Sequence, residues 1–160
     1  MNDAHFHLVV NHLPIIIPIV SLIVLVIGLL IKSEAVKRTS YLLFMITGIT
    51  TVLAFSSGEG AEEMAENLPG VTEYLIHEHE EKAELFSLMS YVLSFVSLLA
   101  LLANWKQNKF SKWLLIIVST LAILVIIIGR EVGTTGGEIR HTEIRKNTKN
   151  HPIRDEERDE

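Results

Sequence analysis

The chain has 160 residues, 49% of them apolar and 21% charged, with no cysteine and a formal net charge of −5 at pH 7. The acidic balance gives no reason to expect nucleic acid as a partner. The missing thiols exclude disulfides, thiolate metal sites, iron–sulfur clusters and covalently attached haem. A mean hydropathy of +0.36 sets the chain apart from ordinary soluble domains, and its distribution leaves no length for a Rossmann domain or other large soluble catalytic domain.

Four stretches lack any charged side chain: Leu13–Ile31, Tyr41–Ser57, Leu85–Trp105 and Trp113–Gly129, of 19, 17, 21 and 17 residues. A bilayer core about 30 Å thick takes roughly 20 apolar residues of helix. Each stretch, with a residue or two of interface at its ends, predicts one span. The expected fold is all-α, an integral membrane four-helix bundle in one domain over residues 1–145. Its spans lie at about 13–31, 39–57, 85–105 and 112–129.

In chain order, Met1-Asn2-Asp3 lacks the basic region of a cleavable signal. The segment His7-Leu8-Val9-Val10-Asn11-His12-Leu13-Pro14 leads into the first span. Pro14 suits a first helical turn, and Leu13 before it is biased away from helix, so the spanning helix is expected from Pro14 with His12 just above it. Pro18 is expected to bend this span. Loop 32–40 carries Lys32, Lys37 and Arg38 against Glu34 alone, and loop 106–112 carries Lys106, Lys109 and Lys112 with no acid. Loop 58–84 carries nine glutamates and only Lys82. The excess of lysine and arginine places the short loops in the cytoplasm and the long loop outside, with both termini extracytoplasmic. Seven Lys and Arg after the last span pull the other way.

Loop 58–84 reads as structured. Gly58–Asn67 predicts a short helix closed by Leu68-Pro69-Gly70, and a second helix starts at Thr72 and runs unbroken into the third span. At 100° per residue, Glu73, His77, Glu80, Glu81 and Glu84 share a charged, water-facing side. His79 lies on the other side, above Ala83, Phe86, Ser90 and Ser97. Small residues at that spacing mark a helix–helix packing face. After the fourth span, Gly133, Gly136 and Gly137 allow sharp turns that could fold Glu138 and His141 back over the bundle mouth. The tail from Lys146 to Glu160 is polar and mixed in charge, and is expected to be disordered.

This topology puts His5, His7, His12, His77, His79, His141 and His151 on one side of the membrane, with Glu59, Glu62, Glu63, Glu131 and Glu138. Imidazole and carboxylate ligands suit zinc, copper(II) and iron. Two facing imidazoles also suit the axial positions of a b-type haem, and a four-helix bundle can supply its slot. Carboxylate–histidine pairs could instead relay protons. Plainer readings stand beside these: His77 as a solvated residue, His79 satisfied by a carbonyl or glutamate, His12 as a helix cap, and the glycine run as a flexible exit.

His7-x4-His12 followed by Leu13-Pro14-Ile15, a histidine just before the third span (His79 or His77), and Gly136-Gly137 with His141 after the fourth span resemble the domain-of-unknown-function 2231 family. These are bacterial four-span membrane proteins whose first motif looks like H-x4-H-F-P-I. Here Leu13 stands for the aromatic residue, and the stretch His77-Glu78-His79-Glu80-Glu81 is unusually rich in acid and histidine. Fusion of some members to Rieske or cytochrome c domains implies electron transfer in a bacterial cytoplasmic membrane.

The leading expectation is therefore a membrane protein that binds a b-type haem or a zinc, copper or iron ion at its extracytoplasmic face for electron transfer. His12 and His79 are the first ligand pair and His7 and His141 the second. His77, Glu131 and Glu138 are weaker candidates, the two glutamates as partners that fix imidazole tautomers. The alternatives are a non-haem metal-binding or transport protein and a structural or assembly subunit of a membrane complex. No pattern assigns a catalytic residue, so an electron carrier or binding protein is expected rather than an enzyme. The expected partners are the lipid bilayer and a redox protein, with self-association left open.

Overall fold

The computed structural model describes residues 2–145. The tail from Lys146, whose disorder the sequence leads one to expect, lies outside the described residues, and so does His151. Helices are the only regular structure among the described residues: α1 (Asp3–Val10), α2 (Leu13–Leu30), α3 (Glu34–Ser56), α4 (Gly58–Glu66), α5 (Glu73–Trp105) and α6 (Ser111–Arg140), followed by a single 3-10 turn, Thr142–Ile144. Four of the helical segments are long and apolar enough to cross a membrane.

Helices α2, α3, α5 and α6 form an up-and-down bundle in which each packs against two others, in the cyclic order α2, α3, α5, α6. The two short hairpins share one solution. The amide of Ser33 donates to the Gly28 carbonyl and that of Asn108 to the Ala103 carbonyl, both at 2.9 Å. This six-residue closure needs a left-handed residue, supplied by Lys32 (φ 55°) and Gln107 (φ 51°). Ser33 then caps α3 by accepting from the Val36 amide. At the other end, α1 and α4 pack on each other over the bundle mouth.

The distribution of side chains is inverted relative to a water-soluble bundle. Ile23, Ile49, Leu88, Phe95 and Ile127 are each more than half exposed, whereas Ser21, Ser40, Thr47, Ser90 and Ser97 are completely buried. Buried hydroxyls mostly bond back to their own helix, as Ser21 does to the Ile17 carbonyl and Ser87 to the Ala83 carbonyl, both at 2.7 Å. An apolar outside with small polar residues inside is the pattern of helices that associate by close packing rather than by hydrophobic burial. Gly48 shows how close: a Cβ there would stand 2.6 Å from Ser94 Cβ. The Ser94 hydroxyl crosses the same interface to the Met45 carbonyl at 3.2 Å. Leu25, Tyr41, Phe44, Leu93, Val118 and Val125 fill the centre.

Two sequence expectations change, the start of α2 and the glycine turn after the fourth apolar stretch. Helix α2 begins at Leu13, one residue before Pro14, which occupies the first turn as expected; the helix continues through Pro18. The segment ahead of α2, to which the sequence assigns no shape, is the helix α1, capped by Asn2 Oδ1 accepting from the His5 amide at 2.9 Å. The glycine run makes no turn: α6 continues to Arg140, about three turns past Gly129. Glycine's backbone freedom goes unused there, because the missing side chains serve helix packing instead.

Candidate cofactor site at the histidine end

The site is built from α1, the end of α3, the start of α5 and the extension of α6. His7 sits one turn before the end of α1. Its Nδ1 lies 3.0 Å from the Ala54 carbonyl and 3.1 Å from Ser57 Oγ. A carbonyl only accepts, so Nδ1 carries the ring proton and donates it. Nε2 is then the bare lone pair. His79 lies on the inner face of α5, as helical periodicity predicts. Its Nδ1 lies 3.1 Å from Thr135 Oγ1 on α6. The single Thr135 hydroxyl proton is directed to the Glu131 and Val132 carbonyls of its own helix, both at 3.2 Å. Thr135 therefore accepts from His79, which again fixes the proton on Nδ1 and leaves Nε2 bare. Among the described residues neither Nε2 has a hydrogen-bond partner.

Gly136 makes room for this ring. A Cβ at position 136 would stand 3.0 Å from His79 Cε1 and 3.4 Å from its Nδ1. Burial holds the His79 imidazole below its ordinary pKa of 6.5, and His7 adds to this through charge repulsion, against smaller opposing effects of Glu80 and the Val132 carbonyl. Burial likewise lowers His7, opposed by its bond to Ala54 and assisted by His12. His79 thus feels the charge of His7, and both rings share one tautomer and favour the neutral form.

Of the other candidates, His12 stands beside His7, close enough for its charge to be felt there, while His77 and His141 pair with neighbouring glutamates instead. His12 is exposed at the N-cap of α2, next to His7, with no capping bond from its side chain. His141 is exposed and bonds to Glu143 at 3.0 Å. His77 is 69% exposed beside Glu80 and Glu81, on the water-facing side that periodicity assigns it. Glu131 and Glu138 make no side-chain bond to a histidine among the described residues. Glu131 accepts from Thr135 and Glu138 from Arg145 only through their backbone carbonyls. The tautomer-fixing part falls instead to Ala54, Ser57 and Thr135. Sequence reading singles out none of these three, since a carbonyl carries no residue signature and Thr135 sits inside an apparent turn.

Among the described residues no three histidine or carboxylate groups gather in a way that could hold a metal ion. Beside His7, a cavity of about 460 Å³ opens between α1 and α4, lined by Phe6, Ser57, Glu59 and Glu63 among others. Elsewhere on α4, Glu62 meets Glu80 of α5. Burial first, and then the facing Glu80 carboxylate, push Glu62 up to about 7. Arg145 ties down the end of α6, donating to the Glu138, Gly70 and Ile139 carbonyls at 2.7, 2.9 and 3.0 Å. No family model, no curated protein and no solved structure matches the chain.

Proposed function

We propose that this chain is a multi-pass protein of a bacterial cytoplasmic membrane that binds a redox cofactor through His7 and His79 and passes electrons to a partner protein. One observation carries the reading. Two imidazoles 72 positions apart lie at the same end of the bundle, each anchored through Nδ1, each biased towards the neutral form by burial and each, among the described residues, with no hydrogen-bond partner at Nε2. Ligating histidines characteristically donate their second ring N–H to a carbonyl or other acceptor, which orients the ring and raises its basicity.

The donor set discriminates between cofactors. A metal ion held by protein alone asks for three or four donors, and among the described residues no such group is gathered. A b-type haem asks for two axial imidazoles, so the chemistry of the pair fits haem better. When bound, a haem would supply one-electron chemistry. The chain's own part is to hold the protons on Nδ1, keep both rings uncharged by burial, and cover the mouth with α1 and α4. The resemblance to the domain-of-unknown-function 2231 family supports the same reading, as does the inverted side-chain distribution for insertion in a bilayer.

The test is an absorption spectrum of the detergent-purified protein, produced with ample haem supply, before and after dithionite, together with elemental analysis. A Soret band that shifts on reduction, with iron near one per chain, is expected. A colourless protein with stoichiometric zinc or copper would point to the non-haem reading. The absence of both band and metal would contradict the proposal.

A further inference from the structure

The opposite end of the bundle holds a second site of different chemistry. A cavity of about 420 Å³ lies where α3 begins, α5 ends and α6 begins. Four cations, Lys37, Arg38, Lys109 and Lys112, line it against one carboxylate, Glu34. That carboxylate is already spent. Its Oε1 accepts from Lys37 Nζ and its Oε2 from Asn104 Nδ2, both at 2.6 Å. Asn104 is buried (7% exposed) and its Oδ1 accepts from Arg38 Nε at 2.7 Å. This network fixes the Arg38 guanidinium through one edge and leaves its Nη1 donors without a partner among the described residues. Among the described residues Lys109 and Lys112 form no ion pair either, and the Lys109 ammonium stands 5.4 Å from the centre of the Phe110 ring, which leaves its N–H donors available. The cavity is thus a preorganised, net positive pocket with unspent donors.

Its depth along the bundle is marked independently. Trp105 ends α5 and Trp113 lies in the first turn of α6, each 68% exposed. Exposed tryptophans at helix ends mark the level of lipid headgroups. Leu115 lines the cavity on its apolar side, and Leu42, Leu102 and Ile116, on the three helices that form the cavity, are exposed. A ligand seated here would meet cations at one end and an apolar helix surface at the other.

We infer that this pocket binds the phosphate headgroup of an anionic phospholipid, through Arg38, Lys109 and Lys112, with the acyl chains lying along the adjoining helices. Basic pockets between membrane helices recognise phosphorylated headgroups in this way. The inference rests on the bilayer part of the proposed function and is independent of the histidine site. The shared chemistry is phosphate oxygen, so free phosphate is the competing source.

The full chain in neutral detergent is titrated with cardiolipin, with phosphatidylcholine and with inorganic phosphate, and bound lipid is read by native mass spectrometry. Cardiolipin is expected to bind at least tenfold more tightly than phosphatidylcholine. The double variant Lys109→Gln/Lys112→Gln is expected to lose about 25-fold, at about fivefold for each basic residue near the surface. Both lysines are exposed, so thermal unfolding without lipid should be unchanged. Lys32→Gln/Lys106→Gln removes two charges from the same end but outside the cavity, and should keep the preference. Equal binding of the two lipids, equal loss in both double variants, or displacement of cardiolipin by inorganic phosphate at comparable concentration would each overturn the inference.

Discussion

Two titrating groups at the histidine end act in opposite directions with pH, and each follows from its own surroundings. His7 and His79 are held below 6.5 by burial. The unfolded chain takes up protons first as pH falls, so the stability they contribute is full above 6.5 and declines below it. Glu62 is raised from 4.5 to about 7. It stays protonated in the folded chain where an unfolded glutamate is ionised, so its contribution is full below 4.5 and is lost as pH rises through about 7. Docking of α4 against α5 should therefore loosen between pH 5 and 8. Hydrogen exchange in α4 reads this directly: protection falls with pH in the parent chain and is flattened in Glu62→Gln. The same pH dependence in both proteins would remove Glu62 as its source. Among the histidines, the candidacy of His79 was legible because helical periodicity alone puts it on the packing face of α5. That of His7 over His12 was not, because the choice depends on how α1 folds over Ala54, a contact across 47 positions.

At the scale of elements, glycine is where reading by composition and reading by packing part company. Gly133, Gly136 and Gly137 look like a turn, yet α6 runs through them to Arg140. Tertiary packing overrides local propensity here, since the ring of His79 occupies the space a side chain at 136 would take. Gly136→Ala should push His79 off its bond to Thr135. Cofactor affinity is then expected to fall at least tenfold, with helix content by circular dichroism preserved. Unchanged affinity would show that the close approach does not position the ring. Gly48 makes the corresponding contact deep in the bundle, 2.6 Å from Ser94 for an added Cβ. Gly48→Ala is expected to cost about 1–3 kcal/mol, and Ser94→Gly in the same chain should restore much of it. Additive losses in a double-mutant cycle would contradict that account. The elements themselves were largely legible: the four long apolar helices from charge-free runs, α4 from its proline–glycine stop, and the unbroken length of α5 from its lack of any breaker. The hairpin turns were less so, because Lys32 and Gln107 adopt left-handed geometry without the glycine that usually announces it.

Among the described residues the bundle has two chemically distinct ends: the histidines and most of the glutamates at one, and Lys32, Lys37, Arg38, Lys106, Lys109 and Lys112 against Glu34 alone at the other. That polarity was visible in the sequence as soon as the four runs were laid antiparallel. That His7 rather than His12 is anchored against α3 was not visible, since it depends on how α1, a short element, docks over Ala54 and Ser57. Orientation is testable with little background because the chain has no cysteine. Single cysteines at Lys109 and at Glu63, labelled in intact cells with a membrane-impermeant maleimide, should react only at Glu63→Cys. Labelling of Lys109→Cys alone would invert the proposed topology. The central claim, that His7 and His79 form one cofactor site, is tested most directly by titrating haem into purified apo-protein and into four single alanine variants. The Soret response should saturate at one haem per chain in the parent, His12→Ala and His141→Ala proteins, and be lost in His7→Ala and His79→Ala. Saturation that survives loss of His7 or His79, or that fails with His12 or His141 instead, would contradict the account.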